Sequence, residues 1–280
     1  MDLLEEVLDL IRYHKILPKK KFGQNFVVSR QLLQKLISYA FVNKDDVVLD
    51  IGAGLGFLTC LLAQKSKRVI AIEMDLTLLK TLRERTHNFS NIDLIEGNIL
   101  SVNVPCFNKV VSTPPYNISS PLIYWLLEKK FECAVLVFQK EFVNKMFASV
   151  GSKRYRMLSV ITRYFTESDL LDHVPKGMFY PQPEVDSVIV RLKPKSTIHF
   201  LKDREPFLEL LQILFAKKNR KIRNAIIPFL QKMGFKKEET KNFIDSLVFH
   251  DKRVRELSPD EFFALNEELV EKSKLVIMRS

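Results

Sequence analysis

Two short stretches of this 280-residue chain carry residue types that do chemistry. In the first, Gly52, Gly54 and Gly56 follow the apolar run Val47-Val48-Leu49-Asp50-Ile51, and a second apolar run, Val69-Ile70-Ala71-Ile72, ends in Glu73. A β-branched apolar run reads as a buried parallel strand, and glycines after it let backbone approach a ligand closely. An acid at the tip of the next strand, about 20 residues on, can hydrogen-bond a ribose diol. The pairing points to a nucleoside cofactor. The spacing is G-x-G-x-G rather than the G-x-G-x-x-G of dinucleotide enzymes, and a plain strand-to-helix turn also uses glycines.

The second stretch is Thr113-Pro114-Pro115-Tyr116, placed directly after the apolar run Val110-Val111-Ser112. Two prolines lack N–H groups and fix φ, so the carbonyls around them are not absorbed into a ladder or a helix. The Tyr116 ring offers a flat face on which a base can stack. A Pro-Pro turn with a packed tyrosine also occurs without function. At the end of a strand beside a nucleoside site it falls on the edge where open α/β sheets bind ligands.

The elements that position these residues follow from the apolar pattern. Strands are expected near 47–51, 69–73, 92–95, 109–112 and 134–138, with a last pair at 169–174 and 187–192. Their alternation with helical segments predicts a doubly wound, largely parallel α/β sheet. Leu3, Leu4, Val7, Leu10 and Ile11 have helical spacing and predict an amphipathic covering helix over residues 1 to 16. After Pro194 the strand signals vanish. Residues 205–280 read as several helices broken near Pro228, Gly234 and Pro259. The expected organisation is a sheet domain over 1–195 and a small all-helical domain over 196–280.

The formal net charge of +11 calls for a polyanionic partner or an acidic membrane surface. No apolar run approaches the roughly 20 residues that span a bilayer. The start, Met1-Asp2-Leu3-Leu4-Glu5-Glu6, carries acids where a signal peptide needs cations, so a soluble cytoplasmic protein is expected. Cys60, Cys106 and Cys133 are odd in number and widely spaced, which fits free thiols in a reducing compartment. The five histidines show no ligand spacing, and no metal is expected. The lack of a heptad run favours a monomer. Lys217, Lys218, Arg220, Lys221 and Arg223 form a basic run without an acid, and Lys19, Lys20 and Lys21 form another. Such runs are either solvated faces or phosphate contacts.

Ile51-Gly52-Ala53-Gly54-Leu55-Gly56 together with Thr113-Pro114-Pro115-Tyr116-Asn117-Ile118-Ser119-Ser120-Pro121 resembles the S-adenosylmethionine-dependent adenine-N6 methyltransferases. Lys19 to Phe26, Phe179 to Ser187 and Phe215 to Lys221 narrow the resemblance to the small-subunit rRNA adenine dimethyltransferases. The matches run in order along nearly the whole chain. The resemblance implies a Rossmann-like class I methyltransferase sheet with a helical C-terminal domain. It also implies dimethylation of adjacent adenosines near the 3′ end of small-subunit rRNA during ribosome assembly, with the immature subunit as partner.

By the same resemblance, the Thr113 side chain and the Pro114 carbonyl accept the N–H groups of the target amine beside Pro115. Tyr116 stacks on the flipped base and Phe179 closes its other face. Glu73 holds the ribose of S-adenosylmethionine, Gly52 and Gly54 pass under it, and Asn98 contacts the adenine between Met74 and Ile99. Asn25 and Val27 close over the methionine end. Both basic runs become RNA contacts. Two positions depart from the family: Thr113 stands where Asn is usual, and Asn98 where Asp is usual. A hydroxyl still accepts but reaches less far. A non-catalytic ribosome-assembly factor that keeps the fold, and a DNA amino-methyltransferase, are the other readings.

Overall fold

The computed structural model describes residues 2–19, 22–195 and 204–277. Contacts divide the chain into two units, Met1–Val143 with Glu167–Pro194, and Asn144–Thr166 with Lys195–Ser280. The expected strands all form. The main sheet contains β2 (Val47–Ile51), β3 (Arg68–Glu73), β4 (Ile92–Glu96), β5 (Lys109–Ser112), β6 (Cys133–Gln139), β7 (Thr166–Val174) and β9 (Ser187–Pro194). Their order is β4-β3-β2-β5-β6-β9-β7. The β4-β3, β3-β2, β2-β5 and β5-β6 pairs are parallel, and β6-β9 is antiparallel. A separate two-stranded sheet pairs β1 (Phe26–Val27) with β8 (Phe179–Tyr180), setting Val27 opposite Phe179.

This order creates the site. From β2 the chain moves outward through β3 and β4, then returns to the other side of β2 as β5. At such a reversal the loops leaving neighbouring strands diverge and leave a crevice at the carboxyl ends of the strands. The glycine loop leaves β2 and the Pro-Pro loop leaves β5, so both open onto that crevice. Val48, Leu49, Ile51, Val69, Ile70, Ala71 and Ile72 are at most 1% exposed, as strands covered on both faces require. Helices α1 (Leu3–Tyr13), α2 (Arg30–Tyr39), α3 (Phe57–Lys65), α4 (Leu76–Thr86) and α5 (Ser119–Leu127) belong to this unit. Leu3 and Val7 of α1 are buried, as its amphipathic pattern requires.

The second unit differs from the expected boundary at residues 144–166. The short helix α6 (Lys140–Met146) runs into it, and α7 (Met157–Phe165) packs with the C-terminal helices rather than with the sheet. Its aromatics explain this. Tyr164 stacks on Phe263 with ring centroids 5.0 Å apart, and Phe165 meets Phe207 edge-on at 6.2 Å. The partners lie on α8 (Arg204–Ala216) and α12 (Pro259–Ile277). The Tyr155 hydroxyl, fully buried, donates to the Leu257 carbonyl at 2.9 Å. Helices α9 (Ile222–Ala225), α10 (Ile227–Lys232) and α11 (Lys237–Asp245) complete the unit. Pro228 sits in the first turn of α10, where its missing N–H costs nothing. Residues 196–203, across the expected boundary, lie outside the described residues.

Candidate active site

A cavity of about 300 Å³ lies at the crevice, lined by the glycine loop, Glu73, Met74, Asn98, Ile99, Thr113 to Ile118, Phe22 to Val27, and Phe179. The sequence-predicted cofactor and base residues are thus brought to one place. Gly52 and Ala53 both donate to the Ile72 carbonyl, at 2.8 and 3.0 Å, which folds the loop over the end of β3. Gly52 has φ +71°, and a Cβ there would stand 2.8 Å from Pro115 Cδ. Only glycine lets the loop after β2 press against the Pro-Pro turn after β5.

Glu73 is 5% exposed and accepts three backbone N–H groups: Gly54 on Oε2, and Met74 and Asp75 on Oε1, each at 2.9 Å. Burial pushes its pKa up, against those three hydrogen bonds. A carboxylate has about four acceptor positions, so roughly one stays open toward the cavity. A ribose diol offers donors that fit it. Met74, half exposed, and Ile99, buried, supply apolar faces for a ring. Asn98 Oδ1 accepts the Leu100 N–H at 3.1 Å, which orients its amide at the cavity wall. Asn25 Nδ2 donates to the Gly23 carbonyl at 3.0 Å, and Val27 is buried in the β1-β8 pair. Volume, open acceptor and apolar walls fit S-adenosylmethionine.

At the other end, Thr113 lines the cavity and, among the described residues, its hydroxyl has no protein partner. The Pro115 carbonyl is taken by the Ile118 N–H at 3.2 Å, whereas no described N–H takes that of Pro114. Two acceptors therefore remain free side by side. The Tyr116 and Phe179 rings stand 6.4 Å apart at 72°. The Tyr116 hydroxyl shares a 2.7 Å hydrogen bond with Ser187 Oγ, which is fully buried. Burial raises the Tyr116 pKa more than this bond lowers it, so the phenol keeps its proton.

Three residues beneath the site escaped the sequence reading. Asp50 is buried in β2, accepts from Thr59 at 2.7 Å, and has its pKa pushed up to about 7, chiefly by burial. An acid inside an apolar strand was its one signal. Asp75 binds Lys19 Nζ at 2.8 Å and Gln24 Nε2 at 2.9 Å, so the Lys19 and Gln24 side chains are pinned to the start of α4. Ser187 carried no local signal, because its partner is 71 positions away.

The basic residues divide sharply. Lys19 is paired with Asp75 and keeps a partly exposed side chain. Lys20 and Lys21 lie outside the described residues. Lys221 and Arg223 both reach Asp251, at 3.0 and 2.5 Å, and Lys218 Nζ donates to the Lys153 carbonyl at 2.7 Å. Lys217 and Arg220 are exposed and have no side-chain partner among the described residues. Backbone bonds from Arg255 to Lys218 and from Gly151 to Arg255 bring the segments around 151–156 and 252–255 beside this run. Among the described residues no three His, Cys, Asp or Glu side chains gather as metal ligands, and no helix is long and apolar enough to cross a membrane.

Comparison with known proteins bears on the chemistry. A probable ribosomal RNA small subunit methyltransferase A from Pyrococcus abyssi is 37% identical over 264 residues, 94% of this chain and 96% of that protein. Its counterpart from Methanosarcina acetivorans is 38% identical over 86% of this chain and 89% of its own. The crystal structure of a dimethyladenosine transferase from Plasmodium falciparum is similar with a TM-score of 0.79 at 30% identity, covering 88% of this chain and 98% of that one. The 23S rRNA methyltransferase ErmE is similar with a TM-score of 0.63 at 27% identity, over 88% and 99%. A family model described as ribosomal RNA adenine dimethylase matches residues 16–271. With a cavity that fits the methyl donor and free acceptors beside it, this chain belongs to the ribosomal RNA adenine dimethylase family, S-adenosylmethionine-dependent methyltransferases of rRNA.

Proposed function

We infer that the protein adds two methyl groups to N6 of each of two adjacent adenosines near the 3′ end of small-subunit rRNA. It acts as a cytoplasmic monomer on the immature subunit, with the unit of Met1–Val143 and Glu167–Pro194 holding S-adenosylmethionine and the unit of Asn144–Thr166 and Lys195–Ser280 holding RNA. The observation that carries this reading is the pair of free acceptors, Thr113 Oγ1 and the Pro114 carbonyl, on the same cavity as the Glu73 carboxylate.

Bound S-adenosylmethionine supplies an electrophilic methyl group. Glu73 holds the ribose hydroxyls, the Gly52 and Gly54 backbone passes beneath, and Met74, Asn98 and Ile99 receive the adenine, with Asn25 and Val27 over the methionine end. Adenine's amine is a weak nucleophile because its lone pair is delocalised into the ring. Thr113 and Pro114 accept its two N–H groups and turn the lone pair out of that conjugation. Tyr116 and Phe179 hold the flipped base, so what the protein contributes is orientation. After transfer the N6 proton passes to water. Lys217 and Arg220, with Lys218, Lys221 and Arg223 behind them, meet phosphates.

Thr113 in place of Asn favours a second reading, an assembly factor that binds the subunit without modifying it. Transfer of labelled methyl to unmethylated small subunits, followed by nucleoside analysis, separates the two. Dimethyladenosine from the wild type, lost in Tyr116→Ala, supports the enzyme. Binding without methyladenosine, on subunits that a related enzyme modifies, supports the factor. A Thr113→Asn variant reports what the shorter acceptor does to the second methylation.

A further inference from the structure

The Tyr116 hydroxyl and the turn before Phe179 are anchored by two consecutive residues, Asp186 and Ser187, although the rings come from segments far apart in sequence. Ser187 opens β9, pairs with Gln139 of β6, and is fully buried, so its Oγ is held by the main sheet. That oxygen shares the 2.7 Å hydrogen bond with the Tyr116 hydroxyl. Asp186 Oδ1 accepts the Lys176 N–H at 2.9 Å, and its Oδ2 stands 3.1 Å from His173 Nε2. Lys176 opens the turn Lys176–Met178 that leads into Phe179. The Asp186 carbonyl also accepts the Lys140 N–H at 2.9 Å, which ties the pair to the end of β6.

We propose that Asp186 and Ser187 are positioning residues that fix the two aromatic walls of the target-base slot, Ser187 through the Tyr116 hydroxyl and Asp186 through the turn before Phe179. The proposal rests on the methyltransferase reading above. A stacking face needs no hydroxyl, so the Tyr116–Ser187 bond serves to hold the ring at the end opposite its backbone. A tilted ring leaves the base able to bind but misplaces its amine relative to Thr113 and Pro114, and misplacement is read in turnover more than in binding.

The test is a double-variant cycle on unmethylated small subunits. Ser187→Ala and Tyr116→Phe should each lower kcat by roughly fivefold, the effect of one hydrogen bond, with the KM for S-adenosylmethionine unchanged. The double variant should fall no further, because both changes remove the same bond. Ser187→Thr should restore most of the rate. Asp186→Ala, which acts on the other ring, should by itself lower kcat with the KM for S-adenosylmethionine unchanged, and a wild-type kcat there overturns the role given to Asp186.

Ser187→Ala at the wild-type rate, or a double variant that loses the product of the two single effects, overturns the proposal. Should Ser187→Ala fail to fold, Tyr116→Phe decides alone, and a wild-type rate there has the same force. Wild-type protein that makes no methyladenosine overturns the methyltransferase reading itself, whereas active protein indifferent to these variants overturns only this one.

Discussion

Glu73 shows how one side chain serves fold and ligand together. Its carboxylate gathers three N–H groups from two loops, and an amide in its place would aim hydrogens at one or two of those donors. Glu73→Gln should therefore weaken S-adenosylmethionine binding at least tenfold and cost about 1–3 kcal/mol of stability through buried N–H groups left unmatched. Calorimetric titration and thermal melts would read the two effects separately. Asp50 gives a residue-level pH dependence of the opposite kind. Its folded pKa, about 7, lies above its usual 3.8, so the folded state binds the proton more tightly than the unfolded state. Stability from this group is complete below pH 3.8, falls as pH rises toward 7, and is flat above. Asp50→Asn keeps an acceptor for Thr59 without the charge. It should stabilise the protein relative to wild type at pH 8 and make little difference near pH 4, in paired urea titrations.

Strands were legible where the residues alone decide them, and partnerships were not. Val47 to Ile51 and Val69 to Glu73 are short apolar runs closed by glycines or an acid, and both form as expected. Residues 144–166 read as part of the alternating domain because Met157–Phe165 is as apolar as any helix covering a sheet. Its true partners, Phe207 and Phe263, are 40 to 100 positions later, roughly, and nothing local announces them. The same limit hid Ser187 and Asp75, whereas Glu73 was legible because it closes β3, and Thr113 and Tyr116 because they lie in the loop that leaves β5. A buried ion pair at the amino ends of β2 and β5 also depends on distant partners. Lys109 Nζ lies 2.9 Å from Asp46, and both are under a tenth exposed. Burial alone would raise the Asp46 pKa, and hydrogen bonds from Lys109, Asn108 and the Asn43 N–H instead hold it low. Lys109→Met should destabilise the protein by about 3–5 kcal/mol at pH 7, because it strands a buried carboxylate. The loss should shrink as pH falls below 4 and Asp46 is protonated. The pair sits at the end of the strands away from the cavity, so methyl transfer per folded molecule should be unchanged at low temperature.

At the scale of the whole molecule, a net charge of +11 makes association with RNA depend on salt, but the charge is not evenly available. In the basic run, Asp251 holds Lys221 and Arg223, and those partners hold the Asp251 pKa below the usual range, first through the Lys221 hydrogen bond. Lys217 and Arg220 are uncommitted. Each phosphate they neutralise adds about 0.7–0.9 to the slope of log affinity against log salt. Lys217→Ala and Arg220→Ala together should flatten that slope by roughly 1.5 for subunit binding, whereas Lys221→Ala should change it less, because its charge is already spent on Asp251. Asp251→Asn makes the opposite change: it releases two cations without adding one. Subunit affinity at low salt should rise, the slope should steepen, and the gain should vanish at high salt. If Asp251→Asn left both slope and affinity unaltered, the run would be a solvated face, and the charge that meets RNA would have to be sought elsewhere on the chain.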